Sequence, residues 1–318
     1  MNTKDILVLT MVKGIGPAFI KRNIKRINKD NSCESLIYEF RPEEKEFIEQ
    51  YYKNAEEIIS ICQKENIDII PLTSDCYPKR LLEISDSPSI LYLKGNKSLL
   101  NNVLSIIGTR HSTSLGNKIA ERLGSYFSTK FAICNGLVEG IDEHSVYVGG
   151  KILSNVIGII SGGMCYKETC SQQHQKIIDD VLSNGGLIIS EFSPLQKEDK
   201  YSGSKASRIQ AGLSCGLILV QSKIDGGSKY TIASFSKLNR AIGVIHFPNS
   251  EEYNLPEFSA NRLIVEKGIC GIAEMIGLKT TSNIKIKSIT KIECKADYDT
   301  FIDSINNQHQ PQMSNLFD

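Results

Sequence analysis

Most of the signals that would settle a chemistry at once are missing from this sequence. No apolar stretch approaches the roughly 18–20 residues that cross a bilayer, so no membrane segment is expected. The N-terminus, MNTKDILVLTMVKG, carries charge on both sides of a short apolar patch and lacks a small-residue cleavage site. It does not read as a signal peptide. Net charge is nearly absent, +1 over 318 residues, so any electrostatic case for a nucleic acid has to be local. The nine cysteines never form CxxC; their scatter and odd number fit reduced, mostly buried thiols of a cytoplasmic protein. Cys165, Cys170 and His174 are of metal-ligating types, but no second cluster completes a four-ligand set, so no metal is expected. The dinucleotide fingerprint GxGxxG is absent, as are the P-loop and the Gly-x-Ser-x-Gly elbow. Those absences disfavour a buried pyrophosphate, an ATPase and a serine hydrolase. The five histidines form no evident nucleophile–base pair by spacing. No catalytic constellation and no cofactor are therefore expected.

What is present has three textures. Residues 1–66 read as a small helical domain of the SAM or helix-hairpin-helix kind. ILVLTMVKGIGPAFIKRNIKRI has the pattern helix, Gly-Ile-Gly-Pro turn, helix, with six Lys/Arg and no acid between Lys13 and Lys29. Such a turn can offer N–H groups to a phosphate; one Gly-x-Gly is a weak signal, and the preferred reading is a packing domain with a solvated basic face. Residues 67–278 alternate strand-length apolar runs with amphipathic segments. Strands are expected at Val103–Ile107, Phe131–Cys134, Asn155–Ile160, Leu187–Ser190, Leu217–Val220 and Ala241–Phe247. Unbroken apolar runs suit strands buried on both faces. Helices are expected at Ser112–Lys130, where Leu115, Ile119, Leu123 and Phe127 form a stripe, and at Gln172–Ser183, Ser228–Leu238 and Ser259–Lys267. The order predicts an α/β fold: an extended Rossmann-like parallel or mixed sheet with helices on both faces. Residues 279–318 read as a basic linker and a flexible tail.

Ligands of open parallel sheets bind at the carboxyl ends of the strands. Here those ends read Gly108-Thr109-Arg110, Asn135-Gly136, Ser161-Gly162-Gly163, Ser190-Glu191, Gln221-Ser222 leading to Asp225-Gly226-Gly227-Ser228, and Phe247-Pro248-Asn249. Glycines let a backbone come close, and helix N-termini supply N–H donors with partial positive charge. Repetition along one rim points to an extended anionic ligand, or to a nucleotide lying across several loops. Asp142 and Glu143, beside Gly140, read as helix N-terminal acids.

YPKRLLEISDSPSILYLKG, SIIGTRHSTSLG, NGLVEGID, VIGIISGGM, GGLIISEF, SRIQAGLS, GGSKYTIASFSKLNRAIGV and NRLIVEKG follow one another in order. Together, over about Tyr77–Gly268, they resemble the DNA-processing protein A (DprA, or Smf) family, as a divergent member. The resemblance implies an extended Rossmann-like domain, single-stranded DNA binding, a homodimer, and help in loading a RecA-type recombinase during natural transformation, without catalysis. It implies that Gly108, Thr109 and Arg110 form a DNA phosphate loop. Gly136 and Gly140-Ile141-Asp142 match a second motif in which Asn135 and Val138 replace the usual Ser and Ala. Arg208 matches the second arginine of an Arg-Asn-Arg motif whose first two positions are Ala206 and Ser207 here, with Lys205 adjacent. Lys200 and Tyr201 stand where the family has a lysine and an aromatic. Gly227, Ser228 and Thr231 match a Ser-Gly-Ser loop, and Asn261 a late Asn-x-Leu-Ile. The rim thus supplies Arg110, Lys200, Lys205 and Arg208 for phosphates and Tyr201 for base stacking, with Gly162 and Gly163 in the contact set. No C-terminal winged helix is evident.

Gln312-Met313-Ser314-Asn315-Leu316-Phe317 is similar to peptides with which bacterial DNA enzymes dock on the sliding clamp. Gln312, Met313, Leu316 and Phe317 would be its anchors; the alternative is a tail tucked onto its own surface. Two other readings stay open. One is a Rossmann-like nucleotide sensor or hydrolase, whose Pro-Gly-Gly-x-Gly-Thr-x-x-Glu motif finds only Ser161-Gly162-Gly163 here, with Thr169 in place of the acid. The other is an adaptor joining a recombinase to a clamp.

Overall fold

The computed structural model describes residues 1–27, 29 and 32–306. The chain opens with a capped helix, α1 (Thr3–Met11). The Asn2 side chain accepts from the Asp5 N–H while the Asp5 carboxylate accepts from the Asn2 N–H, which satisfies donors the first turn leaves open. The Gly-Ile-Gly-Pro turn forms as expected: Gly14 has φ +82° and Pro17 opens α2 (Pro17–Arg22). α3 (Ile24–Ile27), α4 (Glu34–Phe40) and α5 (Ile48–Lys64) follow.

Strands and helices then alternate. They are β1 (Asp68–Pro71), β2 (Ile90–Gly95), β3 (Val103–Gly108), α6 (Ser114–Phe127), β4 (Ala132–Asn135), α7 (Ile141–Val146), β5 (Tyr147–Val148), β6 (Lys151–Ile152), β7 (Val156–Ile159), α8 (Tyr166–Thr169) and α9 (Gln172–Ser183). After them come β8 (Leu187–Ser190), α10 (Ser202–Leu213), β9 (Gly216–Gln221), α11 (Ser228–Phe235), β10 (Ala241–Ile245), α12 (Ser259–Lys267), α13 (Ile269–Met275), β11 (Ser288–Ile292) and α14 (Ala296–Asn306). Each apolar run read as a strand is one, within two residues at either end. β4, β7, β8, β9 and β10 are buried at every position, as strands covered on both faces must be. α6 starts where the Thr113 hydroxyl accepts from the Gly116 N–H, an N-cap bond. Its stripe is rotated from the expected one: Ala120, Leu123 and Phe127 are buried, while Leu115 and Ile119 are half-buried.

The chain forms two compact units. The first comprises the described residues of Met1–Asn101, Cys134–Leu137 and Ile152–Leu213, with strand order β1-β2-β8-β7 followed by the Cys134–Asn135 end of β4. Its sheet is mixed: β2 runs antiparallel to β1 and β8, and β7 parallel to β8. The second comprises Asn102–Ile133, Val138–Lys151 and, of the described residues, 214–306, with order β3-β9-β10-β11, all parallel. The fold class is therefore α/β with a mixed sheet flanked by helices and preceded by a helical region. No helix among the described residues is long and apolar enough to cross a membrane.

One part of the chain departs from the sequence reading. Within 279–318, read as linker and tail, residues 288–292 form β11 and residues 296–306 form α14. β11 pairs in parallel with β10 over five residues, from Ala241↔Ser288 to Ile245↔Ile292. Ile289 and Ile292 lie three residues apart and so on opposite faces; only Ile292 is buried and Lys291 is exposed, as in an edge strand open to solvent. α14 buries Tyr298, Phe301, Ile302 and Ile305. Phe301 is fully buried and meets Phe127 edge-on, ring centroids 6.1 Å apart. α10 was missed for a related reason: the Gly/Ser-rich SGSKASRIQAGL looks like a loop, yet it buries Ala206, Ile209 and Leu213.

Phe301→Ala is expected to lower stability by about 3–5 kcal/mol, the usual cost of truncating a core Phe. Urea unfolding measures it; an unchanged midpoint would show that this helix is no part of the core.

Candidate nucleic-acid interface

In the second unit two loops leave neighbouring strand ends. Gly108 of β3 stands opposite Gln221 of β9, and the Thr109 N–H donates to the Gln221 carbonyl at 2.8 Å. The Thr109 carbonyl in turn accepts from the Ile141 N–H at 3.2 Å. Gly140, at φ +82°, brings its backbone against the carbonyls of Thr109 and Arg110, where a Cβ would collide with both. A residue other than glycine is strained there on both counts. The Gln221 side chain accepts from the Thr113 N–H at 3.0 Å and donates to the Thr113 hydroxyl at 3.1 Å. These bonds fix the turn that carries Arg110. Arg110 itself is exposed and has no hydrogen bond or ion pair among the described residues.

The second loop, from Ser222, ends at α11. Gly227 is its N-cap and is exposed, with open space where a Cβ would stand. Ser228 is 6% exposed, and its hydroxyl has no hydrogen-bond partner. A buried hydroxyl without a partner costs about 1–3 kcal/mol, and this one lies at a helix N-terminus, where anions are favoured. Beside it, Lys229 lies over the Tyr230 ring at 5.4 Å, and Tyr230 is half exposed. Lys229-Tyr230 is not among the contact residues expected from the sequence. The signal was the same pair at Lys200-Tyr201.

Asn261 is not part of the contact surface. It is fully buried; its side chain accepts from the Ser222 N–H at 3.1 Å and donates to the carbonyls of Val220 at 3.0 Å and Ile245 at 3.2 Å. It clips α12 to the ends of β9 and β10, and so holds the Ser222 loop in place.

The first unit's rim divides in the same way. Tyr201 is 59% exposed with Lys200 over its ring at 4.8 Å, and Lys205 is exposed over Phe192 at 5.6 Å. Arg208, expected as a phosphate contact, is occupied within the chain. Its guanidinium grips Glu191 through two bonds of 2.5 and 2.6 Å and donates to Asp86 at 2.8 Å. Burial opposes its charge, but these two carboxylates outweigh that and raise its pKa. Asn135 is fully buried, and its side chain accepts from the N–H of Leu137 at 2.9 Å, bracing a residue with φ +54°. Gly136 offers its carbonyl to the His174 ring at 3.2 Å. Gly162 and Gly163 are buried rather than displayed. The Gly163 N–H goes to the Gln196 carbonyl at 2.8 Å, and a Cβ there would strike the carbonyls of Ser193 and Pro194. Ser161-Gly162-Gly163 is thus a packing seam, not an open phosphate cradle, which weighs against the nucleotide-hydrolase reading. The clamp residues Gln312, Met313, Leu316 and Phe317 lie outside the described residues.

A mixed, largely parallel sheet flanked by helices defines a Rossmann-like α/β fold. A family model for DNA recombination-mediator protein A matches residues 68–273. DNA processing protein DprA of Bacillus subtilis is 31% identical over 206 residues, 64% of this chain and 68% of that one. DprA of Streptococcus pneumoniae is 28% identical over 186 residues, 58% of this chain and 64% of that one. Protein Smf of Escherichia coli is 27% identical over 209 residues, 63% and 54% of the two chains. The X-ray structure of the Streptococcus pneumoniae DprA superposes with a TM-score of 0.68 at 22% identity, covering 84% of this chain and 93% of that one. The Helicobacter pylori DprA, described for its single-stranded DNA binding mode, gives a TM-score of 0.55 at 22% identity, covering 64% and 88%. The chain belongs to the DNA recombination-mediator protein A family, whose members are DNA-binding recombination mediators and not known enzymes.

Because Arg208 and Glu191 are both largely buried, at 12% and 11% side-chain exposure, Arg208→Ala strands a carboxylate. A loss of about 3 kcal/mol is expected in urea unfolding, the scale for breaking a buried pair; full stability with weakened ligand binding would instead make Arg208 a contact residue.

Proposed function

We infer that the protein binds single-stranded DNA along the strand-end loops and serves as a recombination mediator. The observation that carries this is the pairing, on neighbouring strand ends of one unit, of a free exposed Arg110 with the buried, unpartnered Ser228 hydroxyl at the start of α11. One supplies a mobile cation for a phosphate; the other supplies a fixed donor at a positive helix end. Within the same unit, Lys229-Tyr230 adds a charge and a ring face, the combination that holds single strands without reading sequence. The Helicobacter relative's single-stranded DNA binding supports the same ligand. Family membership supports the finer role: on that strand the protein, as a homodimer, helps place a RecA-type recombinase, in the manner of natural transformation.

The test is titration of a fluorescent oligonucleotide against the full chain at several salt concentrations. Affinity should fall steeply with salt. Arg110→Ala should weaken binding roughly 10–100-fold, the worth of one charged hydrogen bond, and flatten the log–log salt slope by about 0.7. Undiminished affinity, or competition by mononucleotides at similar concentration, would sink the reading.

A further inference from the structure

Outside that surface the first unit gathers three metal-ligating side chains from two distant parts of the chain. The ligand atoms of Cys170, His174 and Glu198 all lie within 4.8 Å of one another. Cys170 directly precedes Ser171, the N-cap of α9, and His174 is in the first turn of that helix; the Ser171 hydroxyl accepts from the His174 N–H at 3.4 Å. Glu198 comes from the segment between β8 and α10. We propose that Cys170, His174 and Glu198 form a site for one zinc-class divalent cation, with its fourth position open to water.

The donor set selects the cation. A thiolate, an imidazole and a carboxylate together are too soft for Mg²⁺ or Ca²⁺, which take oxygen ligands, and match Zn²⁺ or Co²⁺. Three protein ligands with an open position is an established zinc arrangement. Bonds of about 2.0–2.3 Å require the three atoms to close by only roughly an ångström, and Glu198 is exposed and free to move that far. The partners behind the ligands are also those a metal site needs. Since a carbonyl can only accept, the His174 Nε2 that meets the Gly136 carbonyl at 3.2 Å carries its hydrogen. Backbone carbonyls commonly fix ligating histidines in this way. The Ser161 hydroxyl donates to one oxygen of Glu198 at 2.7 Å and orients the carboxylate.

The cation would tie α9 to the segment that runs on into Lys200 and Tyr201. The sequence holds Cys170 and His174 at helical spacing but gives no hint of Glu198. The inference does not rest on DNA binding, and its test needs none. The purified full chain is freed of metal, titrated with Zn²⁺ or Co²⁺, and measured by mass-spectrometric stoichiometry and absorbance. Binding of a single cation per chain is expected, with tetrahedral cobalt bands and a thiolate-to-cobalt charge-transfer band. Cys170→Ser should abolish the charge-transfer band, and Glu198→Gln, a change of an exposed side chain that leaves the fold intact, should lose tight binding. Ser161→Ala should weaken binding about 10–100-fold, the usual effect of removing a ligand's hydrogen-bond partner. Endoproteinase Lys-C should cut after Lys197 and Lys200 more slowly with the cation bound. No stoichiometric uptake, or a charge-transfer band that survives Cys170→Ser, would overturn the proposal.

Discussion

The Thr109 main chain is the point on which the candidate interface depends. Its N–H is spent on Gln221 and its carbonyl on Ile141, so the peptide is anchored from both sides at the end of β3. Buried main-chain groups must find partners, and here they find them inside the protein. The turn is therefore fixed before any ligand arrives, and the next residue, Arg110, is left to solvent. Gly140 is the condition for this geometry. Its positive φ and the two carbonyls packed where a side chain would begin leave no room for another residue. Gly108 meets a similar limit, since a Cβ there would run into the Ile141 side chain.

Polar residues along the strand ends fall into two groups with different work. Asn135, Gln221 and Asn261 are fully buried and bond backbone groups, Gln221 the Thr113 hydroxyl as well. They hold loops in shape, and a loop held in shape loses little entropy when it binds. Arg110, Lys200, Lys205 and Tyr230 project outward. Arg208 belongs with the first group despite its charge, because Glu191 and Asp86 neutralise it at short range. A guanidinium with its donors already committed gains little from a phosphate, and giving up Glu191 would leave a largely buried carboxylate alone.

How much of this was legible depends on what burial adds to residue type. The central strands announced themselves as apolar runs because both of their faces are covered. β1, with Asp68 and Pro71 in four residues, and β11, where Ser288, Thr290 and Lys291 interrupt two isoleucines, hid because neither edge strand carries an unbroken apolar run. At the site, Arg110 and Arg208 are the same residue type in similarly placed motifs. Nothing local separates them: the carboxylates that occupy Arg208 lie 17 and 122 residues away in sequence, and only the fold brings them in. The same holds for Glu198, which joins Cys170 and His174 across β8. Sequence alone singles out Cys165, Cys170 and His174 as ligand types with no completing set, because Glu198 reaches Cys170 and His174 only through the tertiary fold.

Ser228 shows how an unsatisfied group can be informative. Buried hydroxyls nearly always find a partner, and those that do not are a standing cost to the folded state. Ser89, Tyr253 and Ser288 share the condition, but Ser228 differs in position. It begins a helix, so the field of the aligned peptides already favours an anion there. An anion arriving at this end would remove the hydroxyl's cost and meet the helix field in the same step. Uncharged ligands could supply only the first of those gains. On the proposed reading, this is why a phosphate backbone suits the loop, and why Gly227 is exposed with open space where a Cβ would stand: a strand of nucleic acid can lie against it without a side chain holding it off.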